Sequence, residues 1–334
     1  MRCFSFIAPS WLLGSLGLFV ASLLPTTAAH AQLRLELKLR RHTFLPYEPV
    51  EVVLTITNFA GRDVVFENQG DRQWLDFELT AAPNSAAVAR GEEEGVPLPP
   101  VAADLHLPAL LVPAGGSVKR SFDIGPHFAL RDPGGYRLRA SIYFVEGDRY
   151  FSSNTAAFGL TEGRTIWQQT VGVPGGRGGD TSGSGLRQLT LLTHRLPDRL
   201  LLYARVRDPD AGVVYTTQSL GRLLTSGEEP KVRLDRSNRL HILHLAVPRT
   251  YVYTVLSLEG ERMTRAVYTK EGKVNPSLAR EPGGRVAVLH AALQPETSAA
   301  QNDNGDLPTS GPIRGTQNLP KLSDRPAGIP RPVR

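Results

Sequence analysis

From residue 33 the chain alternates without a fault, with Leu33, Leu35, Leu37 and Leu39 on one side and Arg34, Glu36, Lys38 and Arg40 on the other. Successive side chains of a strand point to opposite faces, so this is the period of a half-buried strand and not of an amphipathic helix. Pro46-Tyr47-Glu48-Pro49 reads as a turn. Val50, Val52, Leu54 and Ile56 then alternate with Glu51, Thr55 and Thr57 until Asn58-Phe59-Ala60-Gly61 breaks the run. Further strands are predicted at 64–67, 75–80, 117–124 and 136–144, parted by segments rich in Gly, Pro, Asn and Asp. With no convincing helical period anywhere, the pattern predicts an all-β chain whose first domain, 32–161, is a β-sandwich. The long connection 83–108, with Glu92-Glu93-Glu94 followed by prolines, is expected to be a mobile insertion or a contact surface.

The N-terminal segment has a different logic. Arg2, an apolar run at 11–24 and Ala29-His30-Ala31 ahead of Gln32 form the three-part layout of a secretory signal peptide, 1–31, cleaved between Ala31 and Gln32. The run of about 14 residues falls short of the roughly 20 that span a bilayer as a helix, so no stable membrane span is expected after cleavage. The product is expected to be secreted or periplasmic. Cys3 is the only cysteine and lies within the segment to be removed, which excludes disulfides, thiol catalysis and cysteine-ligated metals from the mature protein.

The formal net charge is +6, with lysines and arginines dispersed along the sequence. A nucleic-acid reader would show a basic stripe with interleaved aromatics, so no nucleic-acid partner is expected.

A set of ordered landmarks marks the first domain: Tyr47-Glu48-Pro49-Val50-Glu51-Val52-Val53-Leu54-Thr55-Ile56-Thr57-Asn58, Trp74-Leu75-Asp76-Phe77-Glu78-Leu79, Leu111-Val112-Pro113-Ala114-Gly115-Gly116-Ser117 and Asp132-Pro133-Gly134-Gly135-Tyr136-Arg137-Leu138. Over 32–160 the chain resembles bacterial immunoglobulin-like domains, and most nearly the BsuPI-like intracellular proteinase-inhibitor domain. The resemblance implies an immunoglobulin-like sandwich and, as one reading of function, protease inhibition.

At 162–185 the composition turns glycine-rich, and the stretch reads as a linker. Its Arg177-Gly178-Gly179-Asp180 is not the adhesive tripeptide, because a second glycine intervenes. Beyond it, in 186–293, Asp198-Arg199-Leu200, Asn238-Arg239-Leu240 and Gly284-Arg285-Val286 each open an apolar strand, and Val214-Tyr215-Thr216 recurs as Val252-Tyr253-Thr254. This predicts a second antiparallel β domain with an internal repeat of about 40–46 residues. Two units and a half are too few to close a propeller, leaving a small sandwich, which we favour, or a partial propeller with covered edges. The tail, 294–334, is rich in Pro, Gly, Asn and Ser and is expected to be disordered.

Chemistry-bearing constellations are sparse. His241 and His244 stand three apart on a strand and so face opposite ways, and His244 aligns with His290 across the repeat, as a shared packing element would. Asp71, Asp76, Asp104, Asp123 and Asp132 all fall at strand ends or turns, where aspartate is ordinary. The sequence has no nucleophile elbow, no zinc-protease helix motif and no phosphate-binding glycine loop. No catalytic residue, metal ligand or cofactor is therefore nominated. Trp74, Trp167, Tyr143, Tyr150 and Tyr253 are the aromatics that could stack on a sugar or anchor a peptide, though core packing explains each more simply. The expectation is a non-enzymatic exported scaffold or protein-interaction module, with carbohydrate binding as the alternative.

Overall fold

The computed structural model describes residues 33–70, 72–82, 95–101, 107–173, 185–225 and 227–294. The predicted signal segment with its Ala31–Gln32 boundary, Asp71, Asp104, the Arg-Gly-Gly-Asp string and the tail beyond Gln294 lie outside the described residues.

The first domain runs through β1 (Leu33–Leu39), β2 (Thr43–Phe44), β3 (Glu51–Asn58), β4 (Val64–Phe66), β5 (Leu75–Ala81), β6 (Val96–Leu98), β7 (Leu110–Val112), β8 (Ser117–Asp123), β9 (Gly134–Phe144), β10 (Arg149–Ser152) and β11 (Ala156–Leu160). One sheet is ordered β1-β3-β8 and the other β2-β11-β9-β5-β6, with β10 paired to β9 and a short β4-β7 ribbon beside them. The leucines of β1 and the alternating Val52, Leu54 and Ile56 of β3 meet Leu75, Phe77, Leu79, Leu138, Ala140 and Ile142 of the facing sheet. Their charged neighbours stay in solvent, as the period of two requires. The Tyr136 hydroxyl donates to the Asp132 carbonyl at 2.6 Å. This bond back to the backbone just upstream pins the chain as it enters β9. Part of the predicted 83–108 insertion is ordered: β6 extends the sheet by pairing with β5.

The second domain begins sooner than the sequence predicts. β12 (Arg164–Gly172) lies inside the expected linker 162–185 and pairs along its length with β13 (Leu186–Arg195). The glycine-rich stretch is thus the connection of a hairpin, and only three residues separate β11 from β12. β14 (Leu200–Arg207) and β15 (Val214–Arg222) complete a four-stranded antiparallel meander. A second meander follows in β16 (Lys231–Leu234), β17 (Leu240–Val247), β18 (Thr250–Leu256) and β19 (Arg262–Lys270). The hairpin of β20 (Ser277–Arg280) and β21 (Val286–Leu289) comes next, and β22 (Ala291–Leu293) returns to pair with β19.

These sheets form a stack. Leu189, Leu191, Leu202, Ala204 and Val206 of the first meander pack against Leu240, Ile242 and Leu256 of the second. On its other face the second meander presents Leu243, Leu245, Tyr251 and Tyr253 to Leu278, Val286 and Val288 of the hairpin. The other face of the first meander carries Leu192, Leu201 and Tyr203, which close over Leu45 of the first domain. Both meanders are therefore covered on both faces, unlike the two layers of a small sandwich, and the favoured sandwich gives way to the propeller-like alternative. Both-sided burial also explains why Leu-Leu-Leu-Tyr and His-Ile-Leu-His show no alternation.

A repeat is present, but both its period and its phase differ from the 40–46-residue repeat of the sequence reading. Leu192 pairs with Tyr203 in the first meander and Leu243 with Tyr253 in the second, so equivalent strands stand 51 and 50 residues apart. Leu240 and Val286 both open second strands, whereas Leu200 opens a third. An Arg before an apolar residue marks any turn entering a strand, so the motif found turns without distinguishing them.

Candidate functional site

Two features could serve a binding protein: the junction that fixes one domain on the other, and the sheet edge that the junction leaves open.

The junction is built from the turn after β2. Pro46 and Pro49 bracket it, and Tyr47 takes a left-handed backbone (φ 63°), an uncommon conformation for a residue with a bulky side chain. The result is that Leu45 is thrust fully buried among Leu192, Leu196, Leu201 and Tyr203. Behind it, Glu48 is 4% exposed and accepts three hydrogen bonds. Its Oε1 takes one from an Arg41 guanidinium nitrogen and one from the Tyr203 hydroxyl at 2.9 Å, and its Oε2 takes one from the Leu45 backbone N–H at 2.9 Å. Arg41 closes the ring by donating to the Tyr203 oxygen at 2.6 Å. Burial raises the Glu48 pKa against the pull of Arg41, and burial with Glu48 beside it raises that of Tyr203. Arg205 adds a bond to the Pro46 carbonyl at 2.9 Å. Gly163, in the three-residue connection, leaves so little room that an added Cβ would come within 3.2 Å of Leu192 and 3.3 Å of Leu45.

None of Arg41, Glu48, Tyr203 or Arg205 is nominated by the sequence analysis, where Glu48 figures only as a turn residue. The available signal was Tyr203, a hydroxyl inside an apolar strand, which must find a buried partner.

The nominated residues are dispersed. Trp74 is in the first core, stacked on Phe66 with ring centroids 5.5 Å apart. Trp167 is half-buried on β12, against the second core. Tyr143 and Tyr150 pair on the surface at 5.0 Å, with Arg72 4.4 Å over the Tyr143 ring and the Tyr143 hydroxyl donating to Asp148 at 2.6 Å. Asp76 accepts from the Phe77 N–H, and Asp123 accepts from the N–H groups of Val50 and Gly125, both at 2.9 Å. Asp123 thus organises the turn after β8, whereas Asp76 bonds its neighbour within β5.

His241 and His244 both lie on β17. The Nδ1 of His241 is 2.6 Å from the buried Tyr253 hydroxyl, and its Nε2 is 3.3 Å from Asp235. His244 turns to the other face and is 1% exposed, with its pKa pushed down to about 4 by burial and the charge of Arg265. His290 is exposed in the turn between β21 and β22, so it occupies no position equivalent to His244.

The open edge is β12. Among the described residues its only strand partner is β13, seven of its nine residues are exposed, and Arg164 is its one charged residue. A bulge interrupts its start between Thr165 and Trp167, after which Trp167–Gly172 pairs regularly. Three edges of the first domain are protected in recognisable ways. The side-chain amide of Asn154 donates to the Leu37 carbonyl at 3.0 Å and accepts from its N–H at 2.8 Å, closing the edge of β1. β6 is three residues long and contains Pro97, and β8 carries Lys119 and Arg120. Short length, proline and charge are the usual means of discouraging strand addition, and β12 beyond its bulge has none of them.

No helix among the described residues is long and apolar enough to cross a membrane. No protein-family model matches the sequence, and no curated protein matches it. Among solved structures the chain is similar to the Pseudomonas fluorescens alkylpurine DNA glycosylase AlkC bound to DNA containing an abasic site analogue, at 12% identity and a TM-score of 0.24, covering 40% of this chain and 31% of that one. It is also similar to the sporulation control protein Spo0M of Bacillus subtilis, at 10% identity and a TM-score of 0.25, covering 55% and 83%. The chain thus spans less than a third of the glycosylase's length, and likenesses at these scores carry no argument about fold or function.

Proposed function

We propose that this chain is an exported, non-enzymatic scaffold that recruits a protein partner by accepting an extended segment of it along the open edge of β12. The observation that carries this reading is the uncharged edge from Trp167 to Val171, on which Gln168, Gln169 and Thr170 are exposed. Every second residue of an edge strand turns its N–H and C=O outward, so an incoming strand gains main-chain hydrogen bonds there, with Gln168 and Thr170 available to its side chains. The buried junction supports the same reading, because it would hold β12 in a fixed position relative to the first domain.

The test is site-specific photo-cross-linking from position 168 in the producing cell's exported fraction. A discrete protein adduct is expected, and it should disappear when Thr170 and Gln169 are both changed to lysine in a chain whose thermal midpoint is unchanged. Adducts that survive the two lysines would contradict strand addition. Catalytic turnover by a purified, partner-free preparation would contradict the scaffold reading, and intact material beginning at Met1 in the exported fraction would contradict signal cleavage.

A further inference from the structure

Arginines that are dispersed in the sequence converge at one end of the stack. Arg233 lies on β16, Arg236 and Arg239 in the turn that follows it, Arg280 at the end of β20 and Arg285 in the next turn; all five are exposed. The two turns touch. The Arg280 guanidinium donates to the Leu234 carbonyl at 2.6 Å. A Cβ added to Gly284, which has φ +86°, would lie 3.0 Å from the Arg236 side chain.

The carboxylates within the cluster are already engaged. Asp235 accepts from the N–H groups of Ser237 and Arg239 at 2.8 and 2.9 Å and faces His241 at 3.3 Å, and Glu281 accepts from Arg285 at 3.1 Å. Five arginines against two acids leave an excess of three positive charges in two adjoining turns, half of the formal +6 of the whole chain.

From this we infer a second binding site, distinct from the β12 edge, for an acidic polysaccharide bearing carboxylates. The guanidinium fork matches a planar carboxylate, as it does a phosphate, with two parallel hydrogen bonds, a geometry that lysine does not offer; the phosphate polymers are therefore arms of the test below. Exposed arginines hold a lone small anion weakly, whereas a chain of regularly spaced carboxylates engages several at once and gains by effective concentration. The aromatic ring within the cluster, Tyr253, is buried against His241, so it offers no platform for stacking the bases of a single-stranded nucleic acid. Asn238 joins this site to the first, since its side-chain amide donates to the carbonyl of Gly172 at the end of β12 at 2.9 Å. A polysaccharide seated on the turns would lie beside the strand-accepting edge without covering its length.

The test uses the full chain on immobilised alginate, with neutral dextran, phosphate-rich teichoic acid and double-stranded DNA as parallel surfaces, at low and physiological salt. Salt-sensitive retention on alginate is expected, with none on dextran and weaker binding to the two phosphate polymers. Changing both Arg236 and Arg285 to Glu should weaken alginate binding at least tenfold, and changing both to Gln should give an intermediate loss. Reversing Arg34 and Lys119 to Glu, on the solvent face of the first domain, should change it less than twofold. The inference is overturned by absence of alginate binding. It is overturned equally if the control reversal weakens binding as much as the Arg236 and Arg285 pair, or if DNA or teichoic acid binds as tightly as alginate. The glutamine pair guards against misfolding: if it binds like the unaltered chain, the arginines are not the site. Cross-linking at position 168 is read separately, so failure of either site leaves the other standing.

Discussion

The two halves of this protein use the same element in opposite ways. In the first domain the core strands β1, β3, β5 and β9 turn one face to the core and the other away from it, and β3 reads as eight residues of regular alternation between buried and half-buried. In the second, β17 buries six consecutive residues and β18 six of seven, because a sheet or hairpin lies on either side. A sandwich of the first kind is complete with two layers. A stack of the second kind must be closed at each end, and here one end is closed by a whole domain, through Leu45 and the Arg41–Glu48–Tyr203 ring, and the other by the two-stranded β20-β21 layer. The first domain is thus part of the second domain's core.

The largest effect is expected where the two kinds of packing meet. Glu48→Gln keeps the shape of the junction but leaves the Arg41 guanidinium without its anion. Breaking one side of a buried pair typically costs about 3–5 kcal/mol, so chemical denaturation should show a loss of that order, felt in the second domain as well as the first. A loss confined to the first domain would mean that the halves are uncoupled.

Alanine scanning can sharpen the contrast within single strands. Leu201 and Leu202 of β14 are neighbours facing opposite ways and both are fully buried, so Leu201→Ala and Leu202→Ala should each cost about 2–5 kcal/mol. In β3 the corresponding neighbours should differ sharply: Val52→Ala is expensive, and Val53→Ala, on the half-buried solvent face, costs within about 1 kcal/mol. Equal costs in both strands would erase the distinction.

The two-sided burial also has a pH signature. His244 resists protonation in the folded state until about pH 4, whereas in the unfolded chain it takes up a proton near its ordinary 6.5. Unfolding therefore binds a proton within that window, and stability falls as pH drops from 6.5 to 4, by roughly 1.4 kcal/mol per unit and about 3 kcal/mol in total. Burial lowers the pKa values of His194 and His241 too, which adds slope of the same sign. The variant His244→Leu should flatten the acid limb, and an unchanged limb would place the sensitivity elsewhere. The smallest effect belongs to the first domain alone, where Tyr136→Phe removes the bond to the Asp132 carbonyl at a cost of about 1 kcal/mol in its unfolding free energy.

The same contrast explains what the sequence disclosed. Alternation is a strong signal, so β1, β3, β5, β8 and β9 fall close to their predicted positions. Strands buried on both sides lose that signal, because Leu-Leu-Leu-Tyr looks alike in a stack, a sandwich core or a parallel sheet. Glycine-rich composition does not distinguish a domain linker from the connection between two paired strands, which is how β12 came to be hidden inside a predicted linker. The junction was illegible for a further reason: Arg41, Glu48 and Tyr203 are ordinary in their local contexts, and 155 residues separate Glu48 from Tyr203. The arginine cluster was obscured in the same way, since charges dispersed along a chain become neighbours only when successive layers stack.

The central claim is that the first domain closes the stack, so that the two halves unfold as one body. Scanning calorimetry of the full chain at neutral pH tests it most directly, with Leu45→Ala beside the unaltered protein. The account predicts one cooperative transition for the unaltered chain and, for the variant, two separated transitions with the second domain melting first. Two independent transitions in the unaltered chain, with the second domain's midpoint indifferent to Leu45→Ala, would contradict it.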